Sequence, residues 1–296
     1  MIAFCTSLRA KALANDWSYH TWLLERVVHS MMAQTRGDVH VVVACHDVPE
    51  SPEWRDDPRV TFLPIDADMP VRNFDDMVTD KVLKLSAAAR WVIEHGAADY
   101  VVFNDADDLV SDRLGEFVEA NRGSNGWYTT SQRFYTYGGR LMRLQKIAGG
   151  ASGPCVIVRG DLLTFGRPPF SGPWVDLVHG GGEHAYLGYL ARHRREVCEL
   201  AAVGLGHYRA FMAAQGHPLA PLPFGGNVVI NHKDSVSTTG GTNGYQLLSP
   251  LRSLKRSLKW LPSLRLATPA VRDEFHIPAT REIPDAYRGG ASVFWR

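Results

Sequence analysis

Hydrophobic positions fall into two rhythms over the first hundred residues. Ile2–Thr6, Val39–Cys45, Val60–Ile65 and Tyr100–Phe103 are short apolar runs and predict strands. The run VHVVVAC at Val39–Cys45 is continuous rather than alternating, as in a strand covered on both faces. Between the runs lie longer segments of helical period. Trp17–Gln34 sets Trp22, Val27, Val28, Met31 and Met32 near one face, with Glu25 and Arg26 beside it. Thr79–His95 aligns Val82, Leu85, Ala89 and Val92 and stops at Gly96. This β-α-β-β-α-β order predicts an α/β fold, a mostly parallel sheet with helices on both faces. In such sheets ligands gather beyond the carboxyl ends of the strands.

The pattern changes after Asp108. Trp127–Tyr137 is aromatic and β-prone, Gly149–Val158 is a glycine-rich loop entering a strand, and Val178–His193 opens on glycines before a helical stretch. Pro218–Thr242, rich in Gly, Pro, Ser and Thr, predicts an irregular loop over a site, although NVVI within it is strand-like. From Pro250 onward the alternation is lost. We therefore divide the chain into a domain at 1–248, with halves 1–110 and 111–248, and an extension at 249–296.

Composition changes this picture in four places. With 296 residues, 45% hydrophobic, the chain can bury a full core and is too apolar for disorder. A net charge of +1 excludes nucleic-acid binding through bulk positive charge. No uncharged apolar run reaches the roughly 18 residues of a membrane span, and MIAFCTSLRAK lacks the basic start of a signal peptide, so a cytoplasmic location is expected. Cys5, Cys45, Cys155 and Cys198 have no paired spacing and read as buried free thiols.

The chemistry concentrates at Asn104-Asp105-Ala106-Asp107-Asp108, where the strand YVVF ends. Carboxylates at i and i+2 past a buried strand converge on one divalent cation if the backbone turns sharply after Asn104; such hard oxygen donors suit Mg²⁺ or Mn²⁺. The alternative is a solvated turn whose aspartates cap the following helix.

DYVVFNDADDLVSDRL resembles the DxD region of GT-A glycosyltransferases, family 2 in particular. Upstream LLERVVHSMMAQTRGDVHVVVACHD resembles that family's first helix and second strand. Downstream ASGPCVIVRGDLL resembles its acceptor-side strand, and GGGEHAYLGYLARH its Gly-Glu-Asp motif heading a helix. The resemblance implies a metal-dependent, inverting transfer of a sugar from a nucleotide-diphosphate sugar, a UDP-sugar first, to a carbohydrate or glycoconjugate hydroxyl. It implies that Thr6, Ser7, Arg9 and Asp47 hold the base and ribose. Asp105 would serve the ribose and the metal, Asp107 the metal directly, and the late His232 would complete the metal site with Lys233 on the diphosphate. The imidazole leans this set toward Mn²⁺. Lys81 and Lys84, three apart on one helix face, are in reach of diphosphate oxygens; solvent-facing charges are the other reading.

Two departures bear on mechanism. His184 stands where the family has its catalytic Asp, so the base is Glu183 or His184. The loop after the first strand, SLRAKALANDWSYH, is longer than the family's. On the acceptor side Ser152, Arg133 and Trp174 are candidates, with Trp127, Tyr128 and Tyr135, although aromatics at such spacing are as readily core. The rivals are a sugar-phosphate nucleotidyltransferase, whose glycines TSLRAKA lacks, and an inactive nucleotide- or sugar-binding module.

The extension opens LRSLKRSLKWLPSLR at 251–265, with leucines on one helical face and basic residues on the other. It reads either as a helix packed on the domain or as a peripheral contact with an anionic inner membrane face. Residues 251–296 hold nine Lys and Arg against four Asp and Glu, which leaves 1–250 at −4.

Overall fold

Strand β1 (Ile2–Ser7) shows how the core is divided. Ile2 and Phe4 point to one side, Ala3 and Cys5 to the other, following the two-residue period of a strand. Helix α1 (Trp17–Met32) covers the first side with Leu23, Leu24, Val27, Val28 and Met31. Helix α2 (Phe74–Glu94) covers the second with Leu85, Ala88, Ala89 and Val92. Asp16 caps α1, its carboxylate accepting the Tyr19 backbone N–H at 3.0 Å. The computed structural model describes residues 1–50, 53–70, 72, 74–147, 155–167, 195–203, 207–232 and 261–288.

The central sheet is built on β1, β2 (Val39–Cys45), β3 (Val60–Pro64) and β4 (Tyr100–Phe103), mutually parallel in the order β4-β1-β2-β3. Beyond β4 the sheet continues through β9 (Val156–Arg159), antiparallel to its neighbours, then β6 (Gly126–Tyr128) and β12 (Ala220–Pro221). Seven strands result, with β9 alone reversed among the described residues. The fold is therefore the α/β, mostly parallel, doubly covered class expected of a GT-A domain.

A second sheet of five strands packs beside it, and β10 (Phe165–Gly166) pairs antiparallel with β11 (Val197–Cys198) in a separate ribbon. The order of the five-stranded sheet is β14 (Leu264–Leu266), β8 (Leu141–Lys146), β7 (Ser131–Tyr135), β13 (Asn227–Ile230) and β5 (Asp108–Val110). Strand β5 begins at the last aspartate of the acidic run and pairs with β13, so this run links the two sheets. Pro218–Thr242 is thus not irregular throughout: β12 and β13 are sheet strands, and residues 233–242 lie outside the described set.

The described part of the C-terminal extension is integrated with the domain. Past Pro262 the chain forms β14, antiparallel to β8. Phe275, Ile277 and Ile283 then bury into the cluster that holds Phe4 and Val27. The basic stretch 251–260 lies outside the described residues. Among the described residues no helix is long and apolar enough to cross a membrane. All four cysteines are free and buried.

Candidate active site at the carboxyl edge of the sheet

The ends of β2, β1 and β4 lie side by side, and each is followed by a polar turn. After β1, Leu8 N–H bonds Ala44 O at 2.9 Å, so the loop starts out along β2. A short 3-10 turn at Lys11–Leu13 follows, and Lys11 N–H donates to the Asp47 carboxylate at 2.8 Å. Arg72 clamps the far side of this loop through Leu13 O at 2.8 Å and Asn15 Oδ1 at 2.9 Å. The extra loop length is therefore ordered by side chains from two other segments.

Under the loop lies a buried ion network. The Lys84 ammonium, fully buried, donates to Leu8 O at 2.8 Å and to Asp80 Oδ2 at 2.6 Å. The other Asp80 oxygen meets His46 Nε2 at 2.7 Å. Burial pushes the Lys84 ammonium below its ordinary value, with Asp80, Cys45 and Asp47 opposing the shift. Lys84 therefore ties α2 to the loop after β1 and, through Asp80, to the end of β2.

The acidic turn is shaped by Asn104. Its backbone N–H continues the sheet to Cys5 O at 3.1 Å. Its side-chain Nδ2 donates to Asp105 O at 2.9 Å and Asp108 O at 2.7 Å, and Asp108 N–H reaches Asp105 O at 3.2 Å. The sharp turn that the aspartate spacing requires is thus made by the residue before them. Thr6 and Asn104 continue the β1–β4 register; Thr6 Oγ1 and Asn104 Oδ1 are buried without a hydrogen-bond partner among the described residues. Thr6 is fully buried, so it forms the floor of the site.

The three carboxylates have different environments. Asp105 pairs with the Lys81 ammonium, both side chains about one quarter exposed at 24% and 26%. Asp107 Oδ2 meets His232 Nε2 at 2.9 Å. Asp108 is buried and accepts the Ile230 backbone N–H at 3.3 Å. Burial drives Asp108 well above the usual carboxylate range, and the charges of Asp107 and Asp105 add to it. Burial acts on Asp107 too, but the hydrogen bond and charge of His232, then Lys81 and Arg9, outweigh it and hold this carboxyl below its ordinary value. The acid run is thus split: Asp105 and Asp107 face basic side chains, and Asp108, pushed up by burial, faces the second sheet. His232 is held by edge contacts to Tyr19 and His20, with ring centroids at 5.5 and 5.9 Å. Tyr19 in turn stacks obliquely on Tyr287 at 4.5 Å, so the C-terminal segment borders the site.

These side chains as arranged do not fit a resident divalent ion. Asp107 and His232 offer two adjacent donors, but Asp105 is already engaged by an ammonium, and among the described residues no group of three or more His, Cys, Asp or Glu is gathered as a metal site. A +2 ion shared by Asp105 and Asp107 would sit against the Lys81 charge.

No protein-family model and no curated protein sequence matches this chain. Among solved structures it is similar to S. aureus TarS 1-349, with a TM-score of 0.42 and 10% identity, over 77% of this chain and 60% of that one. It is also similar to 4-diphosphocytidyl-2C-methyl-D-erythritol synthase, with a TM-score of 0.34 and 13% identity, over 87% and 96%. A third likeness is to the apo-form glycosyltransferase GlyE of Streptococcus pneumoniae TIGR4, at 0.28 and 15%, over 65% and 43%. The chain thus spans 60% of the TarS fragment's length. No single activity follows from these likenesses.

The expected residues are partly brought together. Arg9 acts on Asp107 from the loop after β1, joining Lys81, Asp105, Asp107 and His232 in one cluster. Asp47 is turned to Lys11 N–H, and Lys84 lies inside the fold beneath the loop. Arg133 sits on β7, its guanidinium 5.2 Å from the Phe275 ring centre, and Trp127 and Tyr135 are core residues. Glu183, His184, Ser152, Trp174 and Lys233 lie outside the described residues. Asp80, His46 and Asn104 were not anticipated. Asp80 carries a readable signal, an acid four residues before a lysine on one helix; His46, in the turn just after β2, carries none.

Proposed function

We propose that this protein transfers a sugar from a nucleotide-diphosphate sugar to an acceptor hydroxyl, with inversion at the sugar. The observation that supports it best is the convergence of Asp105, Asp107, Lys81, Arg9 and His232 at the carboxyl edge of a parallel sheet, where such folds bind ligands. The motif order along residues 1–195, which resembles that of family 2 transferases, supports the same reading.

In this reading the loop after β1, fixed by Lys84 and Asp47, receives the nucleoside. The cations at the acidic turn meet the diphosphate, whose negative charge grows as the bond to the sugar breaks. The acceptor oxygen attacks from the opposite face and gives its proton to Glu183 or His184. The acceptor is a carbohydrate or glycoconjugate, and the basic stretch 251–260 is proposed to face anionic lipid where that acceptor is membrane-bound.

Release of nucleoside diphosphate, measured with a panel of nucleotide sugars and simple sugar acceptors, tests this proposal. The expected result is turnover with at least one donor, abolished in Asp107→Ala. Release of inorganic pyrophosphate from a nucleoside triphosphate and a sugar phosphate would indicate nucleotidyl transfer instead. Binding without turnover would indicate an inactive module.

A further inference from the structure

We propose that Lys81 itself supplies the positive charge that holds the diphosphate, in place of a bound divalent ion. This inference rests on the transferase reading above and specifies how its site works.

Three observations carry it. First, the Lys81 ammonium lies on the very carboxylate, Asp105, that would share a metal with Asp107. It is also attracted by the charges of Asp107 and Asp108. Second, the remaining acid is already matched: Asp107 is bonded by His232 and lies in the field of Arg9. Asp105 and Asp107 thus face two fixed cations from two elements, the loop after β1 and α2. Third, the Lys81 side chain is 26% exposed, unlike Lys84, which is fully buried one turn further on. An ammonium has three donors, and its bond to Asp105 leaves others for phosphate oxygens.

The aspartates then act as positioning groups. Asp105 holds the Lys81 head at the edge of the sheet, and the Asn104 amide fixes the backbone that carries Asp105. When the sugar–oxygen bond breaks, the electron pair goes to the leaving diphosphate and the new bond forms from the acceptor oxygen. Lys81 pairs with the added negative charge without transferring a proton.

Calorimetric titration of UDP, GDP, CDP and ADP, each in EDTA and in Mn²⁺, tests this on the full chain. For the diphosphate that binds, the affinity in EDTA should match that in Mn²⁺. Lys81→Met should weaken binding in EDTA by about tenfold or more, the loss of one charge-assisted contact. Lys81→Arg should recover most of it. In Lys81→Met, Mn²⁺ should now strengthen binding, because the place of the ammonium is open to an ion. Thermal unfolding of each variant gives the folded fraction at the titration temperature. Binding that requires Mn²⁺ in the wild type and is unchanged in Lys81→Met overturns the inference and leaves the transferase reading intact. If none of the four binds in either condition, the transferase reading fails, and the inference with it.

Discussion

Replacing Lys84 by Met removes a charge while keeping most of the side chain's length. The structure sets the cost. Leu8 O loses a charge-assisted bond of 2.8 Å, worth about 1.5–3 kcal/mol. Asp80, nearly buried, keeps His46 but loses its partner at 2.6 Å. Breaking one side of a buried ion pair costs about 3–5 kcal/mol. Met regains some stability through apolar burial, so a net loss of about 3 kcal/mol is expected, a large share of the roughly 5–15 kcal/mol of a typical domain. Urea unfolding measures it as a fall in midpoint at constant slope. The double variant Lys84→Met/Asp80→Leu removes both charges and should lose less than the sum of the two single variants, since the second change removes the charge that the first leaves unpaired. A cycle over the two positions then gives a coupling of at least about 1 kcal/mol. A single-variant loss below about 1 kcal/mol, or additive effects, would refute the view that this network secures the loop after β1.

Other outcomes follow from the same geometry. Asn104→Ala removes both bonds that close the acidic turn and should cost about 1–3 kcal/mol in unfolding experiments, together with loss of nucleotide affinity. His276 is held below its ordinary value by burial and then by His29, so the unfolded chain binds the proton more readily. Stability should therefore fall as pH drops from the ordinary value of 6.5 toward the lowered one. His276→Asn, which suits the backbone at φ 49, should flatten that part of the pH profile in calorimetry. Burial pushes the Cys45 thiol up to about 11 and Cys155 to about 12, so thiol reagents should label the native protein only as fast as it opens.

The central sheet was legible because its strands are apolar runs and its helices keep a 3.6-residue face. Val82, Leu85, Ala89 and Val92 are all buried as their spacing implies. The second sheet was hard to read for the opposite reason. Strand β5 has three residues and pairs with β13, more than a hundred positions away, and neither has room for a period. The C-terminal extension looked separate by its charge, yet Phe275, Ile277 and Ile283 contribute to the main core from residues 261–288, where four arginines are balanced by four acids. At the site, the acidic run and Lys81 were visible as chemistry. The contrast between Lys81 and Lys84 was not, because three residues of helix separate a position facing the acidic turn from one facing the underside of a loop. Asn104 stood within the motif, but its work is done by side-chain bonds to backbone carbonyls that spacing does not reveal.

The central claim is that the acidic turn between β4 and β5 receives a nucleotide-diphosphate sugar. Thermal unfolding of the full chain with a panel of such donors, each in EDTA and in Mn²⁺, tests it most directly. At a hundred times its Kd a ligand stabilises the fold by about 2.7 kcal/mol, an easily resolved rise in Tm. The account predicts that at least one donor produces this rise, that it persists in EDTA, and that it shrinks in Lys81→Met. The absence of a rise with every donor in both conditions, or an equal rise in Lys81→Met, would contradict it.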